Sequence, residues 1–229
     1  MIRFATIIRR SFALCLVMAL AVPAVATATQ GQGNDVKPKR TQMPGEKFRK
    51  RNQLSLDAVA ALSLILRTEN IEDHSYRAAR KVVSDKVAAR FKLDPTALDK
   101  NWSRAPRDHQ IAALAAITQL NVRYVTGKED PYVRVDCSGL LWLAWRTAGV
   151  DMPRQAVSQL DPRMRVERSE AILGDITGEG THVQIYLGMG LAMIHAPFNG
   201  KYVKFKTMSE EQAARVVWTN PSLIATYRL

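Results

Sequence analysis

Cysteine is scarce in this sequence, which contains two in 229 residues, Cys15 and Cys137. The first lies in a segment that resembles an export signal, so the mature chain would keep Cys137 alone. A lone cysteine excludes an internal disulfide, the usual role of cysteine in exported proteins. Two interpretations of Cys137 are then left: an inert buried thiol or a reactive one.

The sequence also lacks an apolar run of the ~20 residues that a bilayer-spanning helix needs. The apolar stretch at residues 11–22 is shorter, follows three arginines and precedes a small-residue cleavage site at residues 26–28. We therefore expect residues 1–28 to be a signal peptide, with export to the periplasm or the exterior. After its removal, the chain is not expected to be an integral membrane protein. An uncleaved anchor and export by the twin-arginine route are the open alternatives.

Acidic residues are outnumbered: 33 Lys and Arg face 21 Asp and Glu, a formal net charge of +12. Such an excess attracts polyanions, of which nucleic acid is the least available to an exported protein. We therefore expect no nucleic-acid partner. Residues 29–53 are polar and contain seven basic residues between Lys37 and Arg51. This composition predicts a flexible basic linker, which could bind anionic envelope polymers or simply be solvated.

Residues 54–104 predict a small helical N-terminal unit. Residues 54–66 are apolar on nearly all sides, and residues 71–91 have apolar positions at helical spacing. Asp94 followed by Pro95 is typical of a helix start. No candidate catalytic or ligand-binding residue is apparent in this unit. It could extend the core, dock a partner or cap the active site.

From residue 105 to residue 229, glycines separate short β-like runs, and an α+β domain is expected. His109 lies in the first turn of a predicted helix, and we expect no catalytic role for it. Asp136 can cap another helix whose first turn contains Cys137. The positive end of a helix favours a thiolate, and its free N–H groups can bind an oxyanion.

Two histidines follow on predicted strands, His182 in an alternating run and His195 in a second apolar run. If the hairpin turns at the 188–189 peptide, the two lie directly opposite, with Cβ atoms ~4.5–5.5 Å apart. A thiol, a base and a group that orients the base form a nucleophilic active site. A zinc site with Cys137 is the alternative. No tight ligand spacing and no fourth ligand support it, so no metal is expected.

Several motifs, in order along the chain, resemble those of the NlpC/P60 family of papain-like cysteine peptidases. They are Asp136-Cys137-Ser138-Gly139-Leu140, Pro153-Arg154 with Gln159, Gly174-Asp175-Ile176, His182-Val183-Gln184-Ile185-Tyr186 and His195-Ala196-Pro197. Tyr124, thirteen residues before Cys137, lies where the family places a tyrosine of the oxyanion hole. The resemblance covers residues 107–205.

The resemblance implies a papain-like NlpC/P60 domain, with a nucleophile helix packed on an antiparallel sheet. Cys137 would be the nucleophile, His182 the general base and acid, and His195 the residue that orients the base. Tyr124 would donate to the oxyanion, while Asp136 and Ser138 would hold the free amine of the substrate. No cofactor is implied.

The same resemblance implies hydrolysis of peptidoglycan stem peptides between γ-D-glutamyl and a diamino acid, through an acyl-enzyme. An amidase, an acyltransferase or an inactive wall-binding module on the same scaffold are the alternatives. Two departures from the family pattern bear on specificity. Lys128 follows Gly127 where a second glycine is usual, and Thr177-Gly178 replaces an aromatic pair.

Overall fold

Four helices open the structure, a computed structural model that describes residues 51–225. They are α1 (Gln53–Thr68), α2 (His74–Phe91), α3 (Pro95–Arg104) and α4 (Arg107–Thr118). The predicted signal peptide, residues 1–28, lies outside the described residues. So does all of the predicted linker, residues 29–53, except its last three residues. Within residues 51–225, no helix combines the length and the apolar character needed to cross a membrane.

Side-chain caps explain where the first three helices begin. Asn52, Asp73 and Asp94 each accept a hydrogen bond from the backbone N–H three residues further on. Such caps satisfy donors that have no partner inside the helix. Pro95 follows Asp94 as the first helical residue, which confirms the predicted helix start.

The four helices pack around one core that continues into the C-terminal part of the chain. The Tyr76 hydroxyl donates to the Gln110 side-chain oxygen at 2.6 Å and so joins α2 to α4. Arg107 donates to the carbonyl oxygen of Ile65 at 2.7 Å, at the end of α1. The buried residues Ala58 and Leu140 belong to the same hydrophobic cluster. The predicted domain boundary near residue 105 stays a prediction, since the core crosses it without interruption.

The C-terminal part contains two sheets and further helices. The small sheet consists of β1 (Arg123–Tyr124), β2 (Glu129–Asp130) and β3 (Arg134–Val135) in the order β1-β3-β2. Helix α5 (Cys137–Thr147) follows, then α6 (Ala156–Gln159) and two 3-10 turns at Pro162–Met164 and Arg168–Glu170. The remaining elements are β4 (Ile176–Glu179), β5 (His182–Tyr186), β6 (Ala192–His195), β7 (Lys204–Thr207), α7 (Glu210–Arg215), β8 (Val217–Thr219) and α8 (Ser222–Ala225).

Five of these strands form an antiparallel sheet in the order β7-β6-β5-β4-β8. Val183, Ile185 and Ile194 belong to the main core together with residues of α5. Tyr186, Met193 and Trp218 belong to a second, smaller core that includes Ala213 of α7. The expected α+β architecture, in which the helix that begins at Cys137 packs on an antiparallel sheet, is confirmed.

The register between β5 and β6 differs from the predicted one by two residues. Ile185 pairs with Ile194, so the residue opposite His195 is Gln184 and not His182, the residue predicted there. The Leu187 N–H bonds to the Ala192 carbonyl oxygen at 2.9 Å, so the loop spans residues 188–191 rather than turning at one peptide. A shift of two residues keeps every side chain on its face. His182 and His195 are therefore diagonal rather than direct neighbours.

Helix α3 holds this hairpin loop. The Trp102 indole N–H donates to the Leu187 carbonyl oxygen and the Asn101 amide donates to that of Gly188, both at 2.9 Å. The Trp102 side chain is almost fully buried. The helical N-terminal unit therefore supports the strands that carry both histidines.

His109 is buried and bonded to two carboxylates. Its Nδ1 lies 2.9 Å from Asp108 and its Nε2 lies 3.2 Å from Asp175, while the Ser222 hydroxyl donates to Asp108. Burial alone would lower the pKa of His109, but hydrogen bonds to the two carboxylates raise it to about 9. A charged imidazole therefore links α4, the start of β4 and α8. No pattern in the sequence had indicated these hydrogen-bond partners of His109.

We expect residues 54–104 to be required for folding. A chain that starts at Ala105 would expose the α4 surface that now packs on α1, and should aggregate or unfold. A chain that starts at Arg51 keeps the Asn52 cap and serves as the matched control, with a cooperative thermal transition. A folded Ala105 chain that hydrolyses substrate faster than the control would instead identify the unit as an inhibitory cap.

We expect His109→Gln to destabilise the protein by about 3–5 kcal/mol, because it removes the cation from a buried, paired site. The folded pKa of His109 is about 9, above the ordinary 6.5. The contribution of His109 to the free energy of unfolding is thus fully present below pH 6.5 and is lost as the pH rises through about 9. Urea unfolding at pH 6.5 and pH 9 should show this loss in the wild type and not in His109→Gln. The exposed His74→Gln is the control, and an equal effect of both variants would contradict the prediction.

Candidate active site

An open cleft of about 550 Å³ lies beside the N-terminus of α5. Residues from several separate segments line it, including Tyr124, Gly127, Cys137, Ser138, Arg154 and Thr181. All four predicted site residues other than the histidines line this cleft, namely Tyr124, Asp136, Cys137 and Ser138. Thr177 belongs to one of the two departures from the family pattern. It is fully buried in the sheet rather than lining the cleft.

Cys137 is the first residue of α5, and Asp136 is its cap, as expected. The Asp136 carboxylate accepts the Gly139 N–H at 2.6 Å. The helix ends before Gly149, whose φ of +87° lies in the left-handed region that favours glycine after a helix. Gly139 is required by close approach, because a Cβ there would lie 2.3 Å from the Lys128 carbonyl oxygen.

The Cys137 sulfur lies against the start of β5. Its thiol donates to the Thr181 carbonyl oxygen at 3.5 Å, and the backbone N–H of Val183 acts to lower its pKa. These two residues flank His182. The predicted contact between the sulfur and a His182 ring nitrogen stays a prediction.

The two histidines are hydrogen-bonded to each other. His182 Nε2 lies 3.1 Å from His195 Nδ1, and the ring centroids are 5.3 Å apart at an angle of 76°. This bond engages one nitrogen of His182 and leaves Nδ1 as the nitrogen that could serve Cys137. The diagonal placement on the sheet therefore still brings the two imidazoles together.

The electrostatics favour a neutral resting pair. Burial, and then the nearby Asp136 carboxylate, raise the pKa of Cys137 above the ordinary 9.0, although backbone N–H groups oppose them. Burial and the charge of Lys206 lower the pKa of His182 below 6.5. At neutral pH the cysteine is thus a thiol and His182 a neutral imidazole that can accept its proton. The positive helix end expected to favour the thiolate is outweighed by burial.

His195 is also neutral. Burial lowers its pKa to about 3, helped by the charges of His182, Lys206 and Lys204. A side chain that stays neutral at physiological pH can act on His182 only by hydrogen bonding. This is the property expected of a residue that orients a base.

Asp136 and Ser138 are held by an arginine. Arg154 donates to the Asp136 carboxylate at 3.0 Å and to the Ser138 hydroxyl at 2.8 Å. Its Nε also donates to Glu129 at 3.0 Å. Asp136 further accepts the Gly127 N–H at 2.6 Å. Any substrate amine at this place would meet a carboxylate that is already bonded to a cation.

Sequence reasoning gave Arg154 and Glu129 no role in the cleft. Arg154 was part of the Pro153-Arg154 motif, so a signal existed. Glu129 lies on a two-residue strand that no periodicity marks. Gln159 of the same motif donates to the carbonyl oxygens of Ser138 and Pro153, at 3.0 and 2.8 Å. It therefore fixes the Arg154 segment to the first turn of α5.

Tyr124 reaches the cleft because β1 runs parallel to β3, with Tyr124 paired to Val135 directly before the cap of α5. Partial burial and the nearby Cys137 raise the pKa of Tyr124 above 10.0. Its hydroxyl is therefore a protonated donor close to the sulfur. Among residues 51–225, no three or more His, Cys, Asp or Glu side chains are grouped to hold a metal ion.

Comparison with known proteins gives matches in the same part of the chain. Residues 121–220 match the model of the NlpC/P60 family. Murein DD-endopeptidase MepH of Escherichia coli (strain K12) is 29% identical over 126 residues, 51% of this chain and 46% of that protein. The bifunctional muramidase/DL-endopeptidase CwlT of Bacillus subtilis (strain 168) is 37% identical over 75 residues, 29% of this chain and 23% of that protein.

Among solved structures, NlpC1 from Trichomonas vaginalis is 29% identical, with a TM-score of 0.42. The match covers 49% of this chain and 45% of that one. The chain thus spans less than half the length of either curated relative.

We expect Tyr124→Phe to lower turnover of a peptidoglycan peptide by ~10²–10³, the usual cost of losing one oxyanion donor. Folding should be unaffected, because the hydroxyl is only partly buried. The exposed Tyr132→Phe is the control and should retain full activity. Initial rates and thermal unfolding of both variants test this, and full activity of Tyr124→Phe would make Tyr124 an ordinary strand residue.

Proposed function

We propose that this chain, whose residues 121–220 match the model of the NlpC/P60 family, is a cysteine endopeptidase acting on peptidoglycan stem peptides. One observation carries the proposal. The cleft-lining Cys137 begins a capped helix, and its thiol bonds to the carbonyl oxygen of the residue directly before His182, which is itself bonded to His195. In this proposal three separate elements supply a nucleophile, a base and an orienting group.

The proposed reaction begins with transfer of the Cys137 proton to His182. The thiolate attacks the carbonyl carbon of a peptide bond, and the resulting oxyanion accepts hydrogen bonds from the Tyr124 hydroxyl and from N–H groups at the start of α5. His182 then gives its proton to the leaving amine, and the C–N bond breaks. A water deprotonated by His182 hydrolyses the thioester and restores the thiol.

We further propose that the bond cleaved joins γ-D-glutamyl to a diamino acid. The resemblance in the motifs supports this choice, while the names of the relatives include both a DD- and a DL-endopeptidase. The cleft walls carry charges of both signs, at Arg154, Glu129 and Asp136, which suits a zwitterionic peptide. In this proposal Asp136 and Ser138 hold the free amine of the stem peptide while Arg154 remains bound to them.

Substrate location and chain organisation complete the proposal. Peptidoglycan lies outside the cytoplasmic membrane, which agrees with removal of residues 1–28 as an export signal. Residues 29–53 would then serve as a basic linker that favours anionic envelope polymers. Residues 54–104 would extend the core of the catalytic domain at residues 105–229, because α3 supports the hairpin of both histidines.

Mass spectrometry of purified muropeptides incubated with residues 29–229 tests the proposal. We expect products that end at D-glutamate and products that begin with the diamino acid. Cys137→Ala and His182→Ala should each abolish them, because the members of such a group act as a unit. His195→Asn should retain part of the rate, since an amide oxygen can still accept from His182.

The other outcomes separate the alternatives. Release of the whole stem peptide from the sugar would identify an amidase, and peptides joined to a new amine would identify an acyltransferase. Turnover by Cys137→Ala equal to that of the wild type would rule out thiol catalysis. Binding of muropeptides without any product would favour an inactive wall-binding module.

A further inference from the structure

Four buried polar atoms lie in a row across the five-stranded sheet. They are His195 Nε2 on β6, Gln184 Oε1 on β5, Thr177 Oγ1 on β4 and Trp218 Nε1 on β8. Thr177 pairs directly with both Gln184 and Trp218. One step along from the Ile185–Ile194 pair, Gln184 stands opposite His195. The register therefore places all four side chains side by side on one face.

None of these four atoms has a hydrogen-bond partner among the residues that the structure describes. A buried polar atom without a partner costs about 1–3 kcal/mol, and native proteins contain few of them. The groups are complementary, however. The indole of Trp218 is a donor, the Gln184 oxygen an acceptor and the Thr177 hydroxyl both, while His195 Nε2 is a donor in one tautomer and an acceptor in the other.

The tautomer of His195 decides whether His182 can act as a base. If His195 carries its hydrogen on Nε2, its Nδ1 accepts from His182 Nε2–H, and His182 Nδ1 keeps a free lone pair. If His195 carries its hydrogen on Nδ1, it donates to His182 Nε2, and neutral His182 must hold its own hydrogen on Nδ1. Only the first arrangement lets His182 take the Cys137 proton.

The required tautomer places an N–H in a buried site, since His195 is only 5% exposed. That N–H needs an acceptor. The charged groups that act on His195 are His182, when protonated, Lys204 and Lys206, and a cation cannot accept a hydrogen bond. The neighbour that can accept is the Gln184 oxygen, whose amide nitrogen is directed toward the Met208 sulfur at 3.8 Å.

We propose that Gln184 is a positioning residue, which holds His195 in its Nε2–H tautomer and thereby keeps His182 competent as a base. A rotation of the Gln184 amide, or one water between the two side chains, completes the link. Thr177 and Trp218 continue the row on the far side of the amide. The role of this interaction in catalysis rests on the proposed function, but the tautomer of His195 does not.

Nitrogen NMR of the protein labelled at histidine tests the tautomer without any substrate. The sequence has four histidines, so the signals can be assigned by substitution. We expect His195 of the wild type to carry its hydrogen on Nε2, and Gln184→Leu to move it to Nδ1. Ile185→Val, on the other face of β5, is the control and should change neither histidine. An unchanged His195 tautomer in Gln184→Leu would overturn the proposal.

Kinetics add a second test. Gln184→Leu should lower kcat about tenfold with KM nearly unchanged, because it alters the base and not the cleft. Asparagine has no tautomers, so in a His195→Asn background the same change should lower kcat less than threefold. An equal loss in both backgrounds would show that Gln184 acts only on packing. If no muropeptide is cleaved while the tautomer responds as expected, the proposed function fails and this inference stands.

Discussion

The site depends on the contact between the first turn of α5 and the first residues of β5. The Cys137 thiol bonds to the Thr181 carbonyl oxygen, directly before His182, so a main-chain atom holds Cys137 beside the strand that carries His182. The Asp136 cap fixes where α5 begins, and Gly139 allows the Lys128 carbonyl to approach that turn. Burial at this contact also keeps the thiol and the imidazole neutral until a substrate arrives.

Support for this contact comes from segments of the chain that contain none of the predicted site residues. Helix α3 bonds to the loop of the β5–β6 hairpin, and Gln159 bonds to the first turn of α5. Each uses side-chain donors to satisfy loop or helix-end carbonyl oxygens. The two sides of the site are thus held from opposite directions, by the helical unit and by the segment around Arg154. A chain without α3 would lose one of these supports.

Local sequence signals predicted many of the helices and strands. Features that depend on contacts between distant segments could not be predicted in the same way. Caps and apolar spacing indicated the helices that begin at Gln53, His74 and Cys137, each to within about three residues. Alternation indicated β5, and both histidines were expected on one face. The hairpin register was wrong, because loop length depends on backbone geometry at residues 188–191. Glu129 and the distant partner of His109, Asp175, could not be found, since each comes from a segment far along the chain from the residue that it bonds.

The charged cluster around His109 has a consequence for when the chain can fold. His109 bonds to a residue 66 positions away, and its neighbour Asp108 bonds to Ser222, 114 positions away. A chain that is still being synthesised and lacks Ser222 holds Asp108 and His109 without this partner. Helix α8 can therefore complete the cluster only after residues 108–222 are all available. Closing so long a loop slows folding, because its entropic cost comes before the stabilising contacts.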